Sequence, residues 1–199
     1  MARQGTYAKG AARREEILVA TKQILASDGY RNLSLRHIAR ALGVEPAHIL
    51  YYFDSREELL QKVIERWDED NTEDSAAFEA DHALDSFVEA ITHNLQIPGI
   101  VHLYLIFAAE AVHPDHAAHE YFQQRFRSVH QLLVGAIQSE QATGRIAERV
   151  DADVEARKLI ALADGLQLQA LVDPSFDPAA VLAASVADLR GVPATAPVA

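Results

Sequence analysis

The chain has 199 residues, a formal net charge of −11, 49% hydrophobic residues and no cysteine. This composition excludes a disordered or fibrous chain, a disulfide framework and any thiolate metal site. The charge is uneven: residues 1–67 carry eleven basic against eight acidic side chains, a net +3, and residues 68–199 carry seven against twenty-one, a net −14.

The acidic total argues against nucleic acid as a partner, yet a basic end on an acidic body points to a nucleic-acid contact through that end. Met1 to Gly10 is polar and runs straight into Arg13, Arg14, Glu15 and Glu16, with no apolar signal-peptide core. The most apolar stretch, Pro98 to Val112, is interrupted by His102 and Glu110. It falls short of the roughly 18–20 residues of a membrane span. A soluble, cytoplasmic protein is expected.

Leu35, Ile38, Ala39 and Leu42 recur at helical spacing, as do Leu159, Leu162, Ala163 and Leu166, and no alternating run marks a strand. An all-α fold of about nine helices is predicted. The first helix is expected from Ala11 to Ser27, before Gly29. Ser34 caps a second that stops at Gly43, and a third runs from Pro46 to Phe53. Ser55 opens a fourth, with Glu58 completing a capping box, and that helix extends to about Ala80. Further helices are expected at Asp81–Leu95, Pro98–Val112 and Asp115–Ala142, the last ended by Thr143-Gly144. Asp151 then caps a helix that ends near Asp173-Pro174, and Asp177-Pro178 opens the final one. The Pro- and Ala-rich tail from Gly191 to Ala199 is expected to fray.

Residues 34–53, SLRHIARALGVEPAHILYYF, have the pattern of a helix-turn-helix. Ala39 sits where the two helices cross, Gly43 permits the positive φ of the turn, and Val44, Ile49 and Phe53 face inward. Glu45, Ala47, His48, Tyr51 and Tyr52 face the other way.

With its flanks, the stretch from Arg13 to Glu65 resembles the DNA-binding segment of TetR-family transcriptional regulators. Its matching residues are Ile17, Ala20, Gly29-Tyr30, Ser34, Ile38-Ala39, Gly43-Val44, Tyr52-Phe53 and Ser55-Arg56-Glu57-Glu58-Leu59. Two positions depart from that pattern: Glu45-Pro46 replaces a Ser or Thr cap of the recognition helix, and Leu50 replaces a phosphate-binding Tyr. Tyr51 is the candidate substitute, about 100° further round the helix.

Chemistry assigns phosphate contacts to Ser34, Tyr52 and Arg56. It assigns base readout to Arg36, His48 and the methyl group of Ala47. Arg3, Lys9, Arg13 and Arg14 form a candidate arm to the DNA backbone or minor groove. The alternatives are a solvated surface for the arm and a packing role for Tyr51 and Tyr52.

Residues 155–174 resemble the family's penultimate helix. The resemblance implies a homodimer whose seam holds Leu159, Leu162, Leu166 and Leu171 with Val181, Leu182, Val186 and Leu189, the alternative being that both stripes bury within one protomer. It also implies an effector cavity, for which Trp67, Phe87, Ile91, Asn94, His102, Leu103, Phe107, Phe126, His130, Leu133 and Gln167 supply apolar bulk and a few polar atoms. Each of these is alternatively plain core.

His113, His116 and His119 do not make a metal pattern, and neither metal nor cofactor is expected. No nucleophile–base pair indicates an enzyme. Glu110 is the one conspicuous carboxylate, with Arg125 or Arg127 as its expected structural partner. The expected organisation is a helix-turn-helix domain over 1–54, an effector-binding and dimerisation domain over 55–190, and a flexible tail over 191–199. The implied function is a repressor released from a palindromic operator by a small molecule. The alternatives are a ligand-sensing dimer with little DNA affinity and a helical enzyme.

Overall fold

The computed structural model describes residues 2–74 and 82–191, so the Pro- and Ala-rich tail beyond Gly191 and the expected end of the fourth helix near Ala80 lie outside it. Among the described residues there are nine α-helices and no strand. In chain order they are α1 (Ala2–Asp28), α2 (Leu35–Leu42), α3 (Pro46–Leu50), α4 (Arg56–Asp74), α5 (Ala83–Leu95), α6 (Pro98–Glu110), α7 (His119–Ala142), α8 (Ala152–Val172) and α9 (Pro178–Leu189). A short 3-10 turn at Tyr30–Asn32 joins α1 to α2. Two compact units form: residues 1–70 with 97–120, and residues 71–96 with 121–199.

In the first unit α1 begins nine residues earlier than its pattern predicts. Ala2, Arg3, Gln4, Ala8, Lys9, Ala11 and Ala12 are good helix formers, and Gly5 and Gly10 cost only about 1 kcal/mol each. Ile17, Ile24 and Leu25 on α1 are buried together with Leu33, Ile38, Ile49 and Phe53. Ser34 caps α2 by accepting from the His37 N–H at 3.2 Å, and Gly43 adopts the left-handed conformation at φ 65°. Ala39 on α2 is 2% exposed.

The N-terminus of α6 lies against α1 at a backbone-to-backbone approach. A Cβ on Gly99 would stand 2.0 Å from the Leu25 carbonyl oxygen, so only glycine fits. On the same helix, the His102 ring lies 5.2 Å from that of Tyr30, tilted by 58°.

The second unit is built from α5, α7, α8 and α9 around Leu84, Leu133, Ile137, Leu159, Leu166, Leu182 and Val186. Asp151 caps α8, accepting from the N–H groups of Asp153 and Val154 at 3.1 and 3.2 Å. Asp177 caps α9 in the same way, accepting from Ala179 and Ala180 at 3.0 and 3.2 Å.

Arg190, one residue beyond α9, ties three helices of this unit together. Its guanidinium grips Asp85 of α5 at 2.8 and 2.9 Å and Glu140 of α7 at 2.6 and 2.7 Å. Glu140 is 1% exposed. Hydrogen bonding from Arg190 holds the Asp85 carboxyl below its ordinary value, against the opposing effect of burial. The stability this pair adds is therefore present at neutral pH and lost as pH falls through the lowered value.

The helix α7 starts at His119 rather than Asp115. Successive tight turns, His116 N–H to His113 and His119 N–H to His116, occupy the intervening backbone. The His116 ring accepts from the Ala118 N–H at 3.2 Å, a local bond that competes with helix formation.

Candidate nucleic-acid interface

The face expected to meet DNA is assembled by α2, the turn at Gly43, α3 and the first residues of α4. Glu45 precedes α3 without capping it, and Pro46 at the first helical position leaves one fewer N–H to satisfy. The helix is regular only to Leu50. Its last turn continues through Tyr52 N–H and Phe53 N–H, both donating to the Ile49 carbonyl at 2.9 and 3.1 Å. Ile49 and Phe53, 0% and 1% exposed, anchor the inner face.

The outer face carries the expected readout residues. Ser34, Arg36, Ala47 and His48 are exposed, and Tyr51 is 81% exposed. Arg36 has no ion pair among the described residues. Tyr52 is half-buried, and its ring meets His48 at 5.4 Å and Tyr51 at 5.1 Å, each edge-on. Packing and exposure are thus divided between the two tyrosines. Leu50 is 44% exposed, an apolar side chain on the same outer surface.

Arg56 begins α4, half-buried, with its guanidinium 5.8 Å from the Tyr30 ring centre and 3.6 Å from Glu57. Ser55 caps this helix through the Glu58 N–H at 3.0 Å, while the Glu58 carboxylate accepts from the Asp54 N–H, one residue before the position that a capping box predicts. Arg40, exposed one turn beyond Arg36, is a further cation of this surface that the motif reading missed. Its i+4 spacing from Arg36 was the available signal.

The four residues of the candidate arm sit in different surroundings. The Arg3 side chain lies outside the described residues, and Lys9 is exposed on α1. Arg13 pairs with Glu16 on its own helix. Arg14 turns inward, donating to the Tyr52 carbonyl and to Glu58 at 3.4 Å, with its guanidinium 4.2 Å over the Phe53 ring. Its side chain nevertheless stays 38% exposed.

The residues expected around an effector divide between the units. Trp67, Leu103 and Phe107 are buried in the first, with His102 half-buried there. Lys22 lies 5.3 Å over the Trp67 ring. In the second unit Ile91, Leu133 and Gln167 are buried, and Phe87, Asn94, Phe126 and His130 are half-buried. His130 meets the Asp153 carbonyl at 3.1 Å.

Of the expected seam residues, Leu159, Leu166, Leu182 and Val186 are buried in their own protomer. Leu162, Leu171 and Leu189 are half-buried, and Val181 is 42% exposed. The open apolar surface of α8 is instead Val154, Leu168 and Val172, at 44, 54 and 80% exposure.

Glu110 pairs with His116 at 3.5 Å, not with Arg125 or Arg127. The chain reverses through Pro114 right after α6, which brings His116 back beside it. His119 meets the Ala111 carbonyl at 2.7 Å, and His113 is exposed. Among the described residues no three His, Cys, Asp or Glu side chains group to hold a metal, and no helix is long and apolar enough to cross a membrane.

Two family descriptions match consecutive parts of the chain: "Bacterial regulatory proteins, tetR family" over residues 17–63, and "BetI-type transcriptional repressor, C-terminal" over residues 80–192. A curated relative, the HTH-type transcriptional regulator PksA of Bacillus subtilis (strain 168), is 26% identical over 168 residues, covering 81% of this chain and 80% of its own. Among solved structures, a TetR transcription regulator from Haloarcula marismortui superposes with a TM-score of 0.75 at 22% identity, covering 91% of this chain and 97% of that one. A transcriptional regulator from Saccharomonospora viridis in complex with choline gives 0.69 at 23% identity, covering 89% and 95%. The chain belongs to the TetR family of bacterial transcriptional regulators, helix-turn-helix proteins that bind DNA and usually dimerise.

Proposed function

We propose that the protein is a homodimeric repressor that leaves a palindromic operator when a small molecule binds its second unit. The observation that carries this reading is the two-sided helix-turn-helix: Ile38, Ala39, Ile49 and Phe53 are buried on one side, while Arg36, Ala47, His48 and Tyr51 are exposed on the other. Arg36 and His48 read base edges, the Ala47 methyl meets a thymine methyl, and Ser34, Tyr51, Tyr52 and Arg56 hold phosphates. In functional terms residues 1–54 form the reading head, and 55–190 carry effector binding and dimerisation.

One such head grips too little DNA for specific binding, and half-sites one helical turn apart require two of them. The exposed Leu168, Val172 and Val181 on α8 and α9 offer the apolar area for a second copy. In the second unit Phe87, Asn94, Phe126, His130 and Gln167 combine aromatic bulk with polar atoms, as effector sites do. A structural relative holds choline, which makes a quaternary ammonium compound the first effector to screen. A ligand acts on DNA binding only by its differential affinity for the bound and released states.

Selection of bound fragments from a random DNA library tests the reading directly. A palindromic site whose affinity falls steeply with salt supports it, and Arg56→Ala is expected to reduce the salt slope by about 1. Failure to enrich any sequence overturns it in favour of a ligand sensor without DNA affinity, the reading that Glu45 and Leu50 would favour.

A further inference from the structure

We propose that Arg14 is a positioning residue for DNA readout: from α1 it fixes the end of α3 in the register that presents Tyr51, Tyr52 and His48, without touching DNA itself. The inference rests on the proposed DNA contact of that face and adds a residue from outside the helix-turn-helix to it.

Three interactions converge on this one guanidinium. Nη1 donates to the Tyr52 carbonyl, a backbone group in the last turn after α3. Nη2 donates to the Glu58 carboxylate at 3.4 Å, and that carboxylate also accepts from the Asp54 N–H in the α3–α4 turn. The flat face lies 4.2 Å over the ring of Phe53, itself 1% exposed. The carbonyls at a helix C-terminus lack helical partners and carry partial negative charge, so a cation there gains both a hydrogen bond and a favourable dipole.

The arrangement matters because α3 is only five residues long. A helix of that length has no stability of its own, and its orientation is set by what clamps its two ends. At the N-terminal end, Pro46 and an uncapped Glu45 supply little restraint. At the C-terminal end, Ile49 and Phe53 fix depth in the core, but apolar contacts are non-directional. The Arg14 bond to a backbone carbonyl, backed by Glu58 and the Phe53 ring, supplies the direction. Lysine, with a compact ammonium, cannot donate to both oxygens and lie flat on a ring.

The full-length protein tests this on a selected operator and on random-sequence DNA, well below the unfolding temperature of each variant as followed by circular dichroism. Arg14→Ala is expected to lose about tenfold in operator affinity and a smaller factor in affinity for random DNA, because Tyr51 and Tyr52 would hold phosphates of any sequence, while its salt slope stays at the wild-type value because neither tyrosine is a cation. Arg14→Lys is expected to recover part of the loss. A salt slope reduced by about 1 would make Arg14 a phosphate contact and overturn the proposal. A lowered unfolding temperature with unchanged operator preference would make it merely structural, and overturn it too. If the wild-type chain shows no preferred sequence, the regulator reading falls and this inference with it, an outcome distinct from the other two.

Discussion

Each unit of the molecule is clamped by one arginine, and the two do different jobs. Arg14 in the first unit grips a backbone carbonyl, a partly exposed carboxylate and a ring. Arg190 in the second grips two carboxylates, one of them 1% exposed. The first clamp acts on a neutral, directional group, so its removal disorients a short helix and leaves no buried charge behind. The second neutralises a carboxylate in the interior, so its removal leaves a charge that cannot be solvated. An arginine at a backbone carbonyl controls geometry, whereas one at a buried carboxylate is needed for the fold itself.

The largest expected effect breaks the second clamp. Among the described residues Arg190→Ala leaves Glu140 with Arg145 at 3.7 Å as its one remaining ion pair, and it is expected to cost about 3–5 kcal/mol. Thermal unfolding should then start roughly 10 °C lower or more. The double replacement of Arg190 and Glu140 by apolar residues should recover much of that loss, because the cost lies in the stranded charge. If the single variant melts like wild type, the contrast between the two arginines fails.

In the first unit the corresponding weak point is steric. Gly99→Ala sets a Cβ against the Leu25 carbonyl, and α1 and α6 must separate to admit it. A cost of about 3 kcal/mol is expected in chemical denaturation. An unperturbed denaturation curve would mean that the helices give way easily at this point.

The smallest effect concerns the reading face and sharpens the comparison from the other side. Leu50 is exposed at the position where the resemblance implies a phosphate-binding tyrosine. Leu50→Tyr adds a donor to a charged acceptor and is expected to raise operator affinity about tenfold with little change in stability. Unchanged affinity in a binding titration would show that Tyr51 already fills the role.

Local chemistry made much of this legible from sequence. Ser34, Gly43, Asp151 and Asp177 each act on backbone groups within a few residues, so their type and spacing were enough to place four helix ends. The exposed face of Arg36, Ala47 and His48 followed from the 3.6-residue period. What covers an apolar stripe did not. Leu159 and Leu166 have the spacing of a seam between protomers, and the same spacing serves a core within one. Periodicity names the apolar face and is silent on its partner. The partners of Arg14 were illegible for a related reason: they lie 38 and 44 residues away, and beside Arg13 it reads as one more cation of a basic arm.

The contact of Gly99 on Leu25 has a mechanical consequence. Arg14 lies eleven residues up the same helix, a lever arm of about 16 Å at 1.5 Å per residue. With Leu25 as fulcrum, a rigid tilt of α1 by roughly 5° would carry the Arg14 end through about 1.4 Å, by the same geometry. That displacement is comparable to the whole tolerance of a hydrogen bond. A glycine at the pivot keeps the two backbones touching, with no side chain between them to absorb the motion.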